Sequence, residues 1–194
     1  MQIIIYNQKG GVGKSMLTTQ IALHFDTTII ELDPYGMLTQ TLDERVVKIG
    51  LDEDIPTITE GDVVYDFGGF DDIRLDSVAK NADLVILPFN PTINSLGTTL
   101  DSYNRVKELD LPILFVVNAF VNQNDVDDAI GFLSENTQDD IEYFCIPHTR
   151  ALQTAENEGV SIIELANSSG LKKHTYKKIS NIMNNLMTKI KEYL

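Results

Sequence analysis

Ile3-Ile4-Ile5-Tyr6-Asn7-Gln8-Lys9-Gly10-Gly11-Val12-Gly13-Lys14-Ser15 is the stretch from which the rest of the chain can be read. Three consecutive apolar residues make a buried strand, a glycine-rich loop follows, and a segment with helical spacing begins at Lys14. Strand, glycine loop and helix in that order form the context a phosphate-binding loop requires. Gly10, Gly11 and Gly13 let backbone N–H groups turn inward, because no Cβ blocks the approach of a phosphate oxygen. The helix N-terminus behind them adds free donors and the positive end of a dipole. In such a loop Val12 and Met16 contribute backbone donors, Lys14 neutralises the β and γ phosphates, and the Ser15 hydroxyl coordinates Mg²⁺. The usual pattern opens with a glycine where this chain has Gln8, and it has no counterpart of Lys9, the extra lysine directly before the glycines.

Outward from the loop, five further apolar runs read as strands: Thr28–Leu32, Val63-Val64-Tyr65, Leu84–Leu87, Ile113–Val117 and Tyr143–Ile146. They are rich in Val and Ile and mostly do not alternate with polar residues, the pattern of parallel strands covered on both faces. Helical spacing begins at Lys14 and recurs near Ile73–Lys80, over about Ser95–Leu109 and over about Val126–Leu133. The expected class is therefore α/β, a mainly parallel twisted sheet flanked by helices on both faces. The polar, acidic stretch Gly36–Gly61 reads as a surface connection or a short excursion from the sheet. Tyr176, Ile179, Ile182, Met183, Leu186, Ile190 and Tyr193 mark one apolar stripe on a long last helix, residues 171–194. The expectation is one domain over residues 1–194.

The 194 residues carry a net charge of −14, unevenly spread. Residues 171–194 hold six lysines and one acid, Glu192, a net of +5; the remainder holds 9 basic and 28 acidic residues, a net of −19. An acidic body does not attract nucleic acid or anionic lipid, so any such contact would use the C-terminal lysines. Cys145 is the only cysteine, which excludes an internal disulfide and leaves a small buried hydrophobe as its simplest role. No run approaches the ~18 apolar residues of a membrane span. Met1-Gln2 leads directly into the first strand without a signal-peptide pattern, so a cytoplasmic protein is expected.

Lys9-Gly10-Gly11-Val12-Gly13-Lys14-Ser15 resembles the deviant Walker A motif of the ParA/MinD ATPases. The resemblance extends along most of the chain. Glu31-Leu32-Asp33-Pro34-Tyr35-Gly36 resembles the Asp-x-Asp-Pro-Gln-Gly switch of ParA proteins, with Glu31 for the first aspartate and Tyr35 for the glutamine. Val63-Val64-Tyr65-Asp66 resembles the Walker B strand, Ala82–Pro88 a later strand and its proline loop, and Ile146-Pro147 with Ala151–Gly159 the segment near the adenine. Length and the lack of an N-terminal helix-turn-helix are similar to the short ParA proteins of plasmids. The resemblance implies a P-loop NTPase fold, ATP and Mg²⁺ as cofactors, and a homodimer closed around ATP, with Lys9 reaching the partner subunit's phosphates. It also implies a centromere-binding adaptor protein as partner and non-specific DNA binding at the nucleoid. ATP is selected over GTP only by this resemblance; no guanine-reading Asn-Lys-x-Asp motif follows Val117.

The remaining candidates follow the strand ends. Asp33 is the switch residue that the resemblance makes catalytic with Lys9 and Lys14, and a carboxylate there can orient the attacking water and assist the metal; the alternative is a turn-capping Asp-Pro. Asp66 can hold a Mg²⁺-bound water, or else cap a helix, and Phe67-Gly68-Gly69 after it would form a second mobile switch. Asn118 is a candidate for a hydrogen bond to the base, with Pro147, His148 and Thr149 lining the adenine through their backbone. Met16 stands where the family has a threonine contacting the α-phosphate, which removes one hydroxyl. Three readings of the C-terminal lysines stay open: a solvated helix face, DNA binding by the nucleotide-bound dimer, or membrane attachment as in MinD, ranked last. Two functions are carried besides the membrane-positioned one: an ATPase that partitions plasmid or mobile-element DNA, and a dimerisation switch of low turnover that positions another cargo.

Overall fold

In a computed structural model the backbone is described over residues 1–194, together with every side chain except that of Asp43. Seven strands form one sheet: β1 (Gln2–Ile5), β2 (Thr28–Glu31), β3 (Val46–Lys48), β4 (Val63–Asp66), β5 (Leu84–Phe89), β6 (Ile113–Phe120) and β7 (Tyr143–Pro147). Their order is β3-β2-β4-β1-β5-β6-β7, and every adjacent pair is parallel. Eight helices accompany them: α1 (Lys14–Phe25), α2 (Thr39–Leu42), α3 (Leu75–Ala79), α4 (Ile93–Lys107), α5 (Gln123–Thr137), α6 (Arg150–Asn157), α7 (Ile162–Asn167) and α8 (Gly170–Lys191).

The apolar strands are buried on both sides because each face carries its own helical layer. Ile3 and Ile5 of β1 pack with α1, α6, α7 and α8, while Ile4 faces the opposite layer of α3, α4 and α5. Each such isoleucine, fully buried, stabilises the fold by roughly 1.5–3 kcal/mol of transfer free energy. In α8 the apolar stripe is spent on this packing: Ile179, Met183, Leu186, Met187 and Ile190 are buried.

The stretch Gly36–Gly61 corrects the sequence reading. It holds α2, a 3-10 turn at Asp43–Arg45 and the edge strand β3, whose Val46, Val47 and Lys48 pair with Ile29, Ile30 and Glu31. Three residues, two of them exposed, are too short and too polar on one side to register as a buried strand.

The chain leaves β1 for β2 on one side and, through β5, continues on the other, so β1 lies at the topological switch point of the sheet. Ligands of open α/β sheets bind at the carboxyl ends of strands at such a point. The glycine loop Lys9–Gly13 emerges there, flanked by the ends of β4 and β5.

Candidate functional site

The loop is held from below by Asn7, a residue the sequence reading did not single out. Asn7 is fully buried. Its Nδ2 donates to Pro88 O at 2.9 Å and to Thr99 Oγ1 at 3.0 Å, and its Oδ1 accepts Lys9 N–H at 2.8 Å. Gln8 N–H donates to Ser102 Oγ at 2.9 Å, fixing the position where the standard motif has glycine to α4. The loop is thus anchored to β5 and α4 before its glycines begin.

Beyond that anchor the backbone donors are free. From Gly10 to Met16 no backbone N–H makes a hydrogen bond of good geometry among the described residues, and the first helical bond is Leu17 N–H to Gly13 O at 3.0 Å. Helices α5, α6, α7 and α8 are each capped by a side chain, from Asn122, Thr149, Ser161 and Ser169. α1 follows Gly13, with φ 99°, and like α3 and α4 it has no side-chain cap. A half-open helix start without a cap leaves its donors for an outside acceptor, and an anion is the chemical match. Cβ atoms at Gly10 and Gly11 would meet nothing within 4 Å, so the space over these donors is open.

Lys14 is only 7% exposed. Its Nζ donates to Asn7 O and Lys9 O, both at 3.0 Å. Burial lowers its pKa, opposed by the charges of Asp66 and Asp33. A buried cation satisfied by neutral carbonyls is poised for a stronger anionic partner. Ser15 Oγ donates to Asp66 Oδ2 at 2.8 Å and Thr18 Oγ1 to Asp66 Oδ1 at 3.0 Å. Asp66 is fully buried, and burial pushes its pKa up to about 7 against the lowering effect of the two hydroxyls and Lys14. A serine hydroxyl beside one carboxylate suits Mg²⁺, which takes few protein ligands and keeps its waters. The described residues contain no cluster of three acidic, histidine or cysteine side chains of the kind that cages a metal unaided.

Asp33 is half-buried at the end of β2. Its Oδ1 accepts Tyr35 N–H at 2.9 Å and its carbonyl accepts Gly36 N–H at 3.0 Å, so it shapes its own turn while its charge is felt by Lys14. Phe67 is buried in the core, and Gly69 rests on the glycine loop itself: a Cβ there would lie 2.9 Å from Gly10 N. The second switch candidate and the loop are therefore in backbone contact, which a sequence pattern cannot reveal. Lys9, half-buried at the mouth of the loop, forms no ion pair among the described residues.

A cavity of about 240 Å³ opens beside α1, its walls including Met16, Asn118, Pro147, His148, Thr149 and Glu156. The structure thus brings the four predicted base-side residues, Asn118, Pro147, His148 and Thr149, into one place beside Met16. Asn118 Nδ2 is engaged with Val12 O at 2.8 Å, so that donor serves the loop. Thr149 Oγ1 accepts Ala151 N–H as the cap of α6, and His148 N–H donates to Phe120 O at 2.8 Å. Glu156 is an addition from the structure; burial raises its carboxyl pKa. A larger cavity of about 630 Å³ lies elsewhere, between the end of α1, α2 and Gly159–Glu164. It touches none of the loop residues, and chemistry outweighs size in choosing between the two.

The basic tail is more committed than its sequence suggests. Lys172 pairs with Glu158, Lys189 with Glu142 and Glu192, and Lys191 lies over the Phe25 ring. Lys173, Lys177 and Lys178 are exposed and form no ion pair among the described residues.

Comparison with known proteins follows the geometry. No curated protein matches the chain. Among solved structures, a Borrelia burgdorferi protein described as a plasmid partition protein and bound to AMPPNP is 18% identical with a TM-score of 0.62, covering 95% of this chain and 98% of its own. Aquifex aeolicus MinD in complex with MinC is 16% identical with a TM-score of 0.63, at 96% and 95% coverage. Pyrococcus horikoshii MinD with Mg-ADP is 15% identical with a TM-score of 0.62, at 97% and 95% coverage. At these identities the likeness establishes the fold. Residues 3–162 match the family model described as the CobQ/CobB/MinD/ParA nucleotide binding domain, and with most of its length matched the chain belongs to that family.

Proposed function

We propose that this protein is a Mg²⁺-dependent ATPase of the ParA/MinD type that closes into a homodimer around ATP and, acting in the cytoplasm, partitions plasmid or other mobile-element DNA. The observation that carries the reading is the run of unpartnered backbone N–H groups from Gly10 to Met16, ending at an uncapped helix and facing the buried Lys14. Such a cradle fits a polyphosphate. Family neighbours bound to AMPPNP and Mg-ADP support the choice of nucleotide.

In this reading the backbone donors and Lys14 hold the phosphates. Ser15 and Asp66 are the residues that would hold Mg²⁺, Ser15 through its hydroxyl and Asp66 through a water. Mg²⁺ supplies neutralisation of the phosphate charge when bound. Asp33 orients the attacking water from the end of β2, and Lys9 reaches the phosphates held by the second copy. Asn118, Pro147, His148 and Thr149 surround the base, and the Met16 N–H meets the α-phosphate. The adaptor is a centromere-binding protein, and Lys173, Lys177 and Lys178 are the DNA contacts. The α8 stripe packs on the sheet, which argues against its use as a membrane anchor.

A second reading, a dimerisation switch of low turnover, is favoured by one feature: Asp33 Oδ1 is already occupied by Tyr35 N–H. Light scattering of apo, ADP and ATP-Mg²⁺ samples of wild type and Lys9→Ala tests the proposal, with ATP turnover measured alongside. A dimer seen only with ATP and lost in Lys9→Ala is expected. A monomer in every state removes the dimer mechanism; a dimer without turnover leaves the switch.

A further inference from the structure

The turn that carries Asp33 is fastened at its far end by two residues that lie outside the phosphate cradle. Glu31, the last residue of β2, is fully buried. Its Oε1 accepts Leu38 N–H at 2.9 Å. Gly36 lies against the same side chain, so closely that a Cβ there would come within 2.6 Å of Glu31 Cδ and 3.0 Å of Cγ. Lys48, the last residue of the edge strand β3, donates from Nζ to Gly36 O at 2.6 Å. The same Nζ lies 3.4 Å from Glu31 Oε2, a buried oxygen with no hydrogen bond of its own among the described residues. Ile49 N–H closes the arrangement onto Glu31 O at 3.0 Å.

These contacts have a direction. Residues 33–38 leave β2, turn through Asp33 and Tyr35, and return to Gly36 and Leu38, both bonded to Glu31 or Lys48. Exposed Tyr35 and Met37, at 91% and 60%, add no packing that could hold the turn. Leu38 is buried in the core at the end of the segment; the polar fixed points between it and β2 are the buried carboxylate and the ammonium group. An aspartate at 31 is one methylene shorter and would not span the same distance to Leu38 N–H. Holding a loop of six residues in one conformation opposes its backbone entropy, and a reacting group displaced by about 1 Å can lose ~10²-fold in rate.

We infer that Glu31 and Lys48 are positioning residues that clamp the Asp33 turn between β2 and β3, holding its carboxylate toward the phosphate site. The inference rests on the reading of Asp33 given above. It also assigns a task to β3: the edge strand carries Lys48 to the one place from which it reaches both Gly36 O and Glu31.

The full chain tests this through Lys48, whose side chain is 35% exposed and lies outside both apolar clusters. Amide hydrogen exchange in nucleotide-free protein is measured for wild type, Lys48→Met and Lys48→Arg, with ATP affinity and single-turnover hydrolysis. Lys48→Met is expected to speed exchange in residues 33–38 and not in β1 or α1. It is expected to slow hydrolysis about tenfold while ATP affinity stays within about twofold, and Lys48→Arg is expected to restore both. Unchanged exchange in residues 33–38 overturns the clamp, as does a parallel loss of affinity and rate. If wild type binds ATP without hydrolysing it, the reading of Asp33 falls, while the exchange measurement still decides the clamp.

Discussion

The side-chain amide of Asn118, at the end of β6, donates to Val12 O at 2.8 Å across 106 residues of sequence and lies directly against the Cα of Gly13. Gly13 has φ 99°, a conformation that costs a side-chain-bearing residue about 1–3 kcal/mol. Gly13→Ala therefore meets two obstacles, backbone strain and the Asn118 amide. We expect it to lower thermal stability and to weaken binding of a fluorescent ATP analogue more than tenfold. Asn118→Ala on its own frees the space but loses the Val12 bond, and a smaller loss of affinity is expected. Binding of Gly13→Ala within twofold of wild type would show that the loop does not need this geometry.

Asp66 gives a pH signature in the nucleotide- and metal-free protein. Burial raises its pKa from 3.8 to about 7. Between those values the folded state holds a proton that the unfolded chain has released, so the Asp66 contribution to stability falls as pH rises and reaches its floor above about 7. Asp66→Asn removes that titration. From pH 5 to pH 8 the stability difference between variant and wild type should move in favour of the variant, with a ceiling of about 2.7 kcal/mol at 1.36 kcal/mol per pH unit. Paired denaturant melts across that range measure it. A difference independent of pH would mean that Asp66 is already ionised at pH 5.

Much of this architecture is legible in sequence for one reason: both faces of the sheet are covered, so β1, β2, β4, β5 and β6 appear as unbroken apolar runs. β3 escapes because it is an edge strand of three residues ending in Lys48. The phosphate loop is legible because its chemistry is local, with every donor within seven residues of Gly10. Its support is not local. Asn7 meets Thr99 and Pro88 across 92 and 81 residues, and Gly69 touches Gly10 through backbone alone. Glu31 looks like a conservative variant of a switch aspartate, yet its extra methylene takes it to Leu38 N–H and Lys48. The six C-terminal lysines read as one basic patch, whereas three of them are engaged by Glu158, Glu142, Glu192 and Phe25.

Gly69 and Gly10 form a contact with unequal tolerance for a methyl group. A Cβ on Gly10 would point into open space, whereas one on Gly69 would lie 2.9 Å from Gly10 N and 3.1 Å from Gly10 Cα. Backbone atoms cannot rotate away, so Gly69→Ala must displace either the segment after Asp66 or a donor of the loop, at a cost of roughly 1–3 kcal/mol. We expect Gly69→Ala to melt lower than wild type and to hydrolyse ATP at least tenfold more slowly. Gly10→Ala should melt like wild type. Equal melting of all three proteins would show that the segment after Asp66 moves freely past the loop.

The exposed lysines of α8 separate DNA binding from helix packing. Lys173, Lys177 and Lys178 are exposed, whereas Lys189 bridges Glu142 and Glu192 and ties α8 to the segment before β7. Each phosphate contact contributes about 0.9 to the slope of log affinity against log salt. Replacing Lys173, Lys177 and Lys178 by Gln should therefore reduce the slope for the ATP-bound protein by up to about 3 per protomer and weaken binding to any duplex sequence alike. Lys189→Gln should leave DNA affinity unchanged and lower the melting temperature. Fluorescence anisotropy on two unrelated duplexes between low and moderate salt reads both effects. If Lys189→Gln weakens DNA binding as much as the triple variant does, the contact lies on the β7 side of α8; if neither variant nor wild type binds DNA with ATP present, the acidic body prevails and the cargo is not DNA.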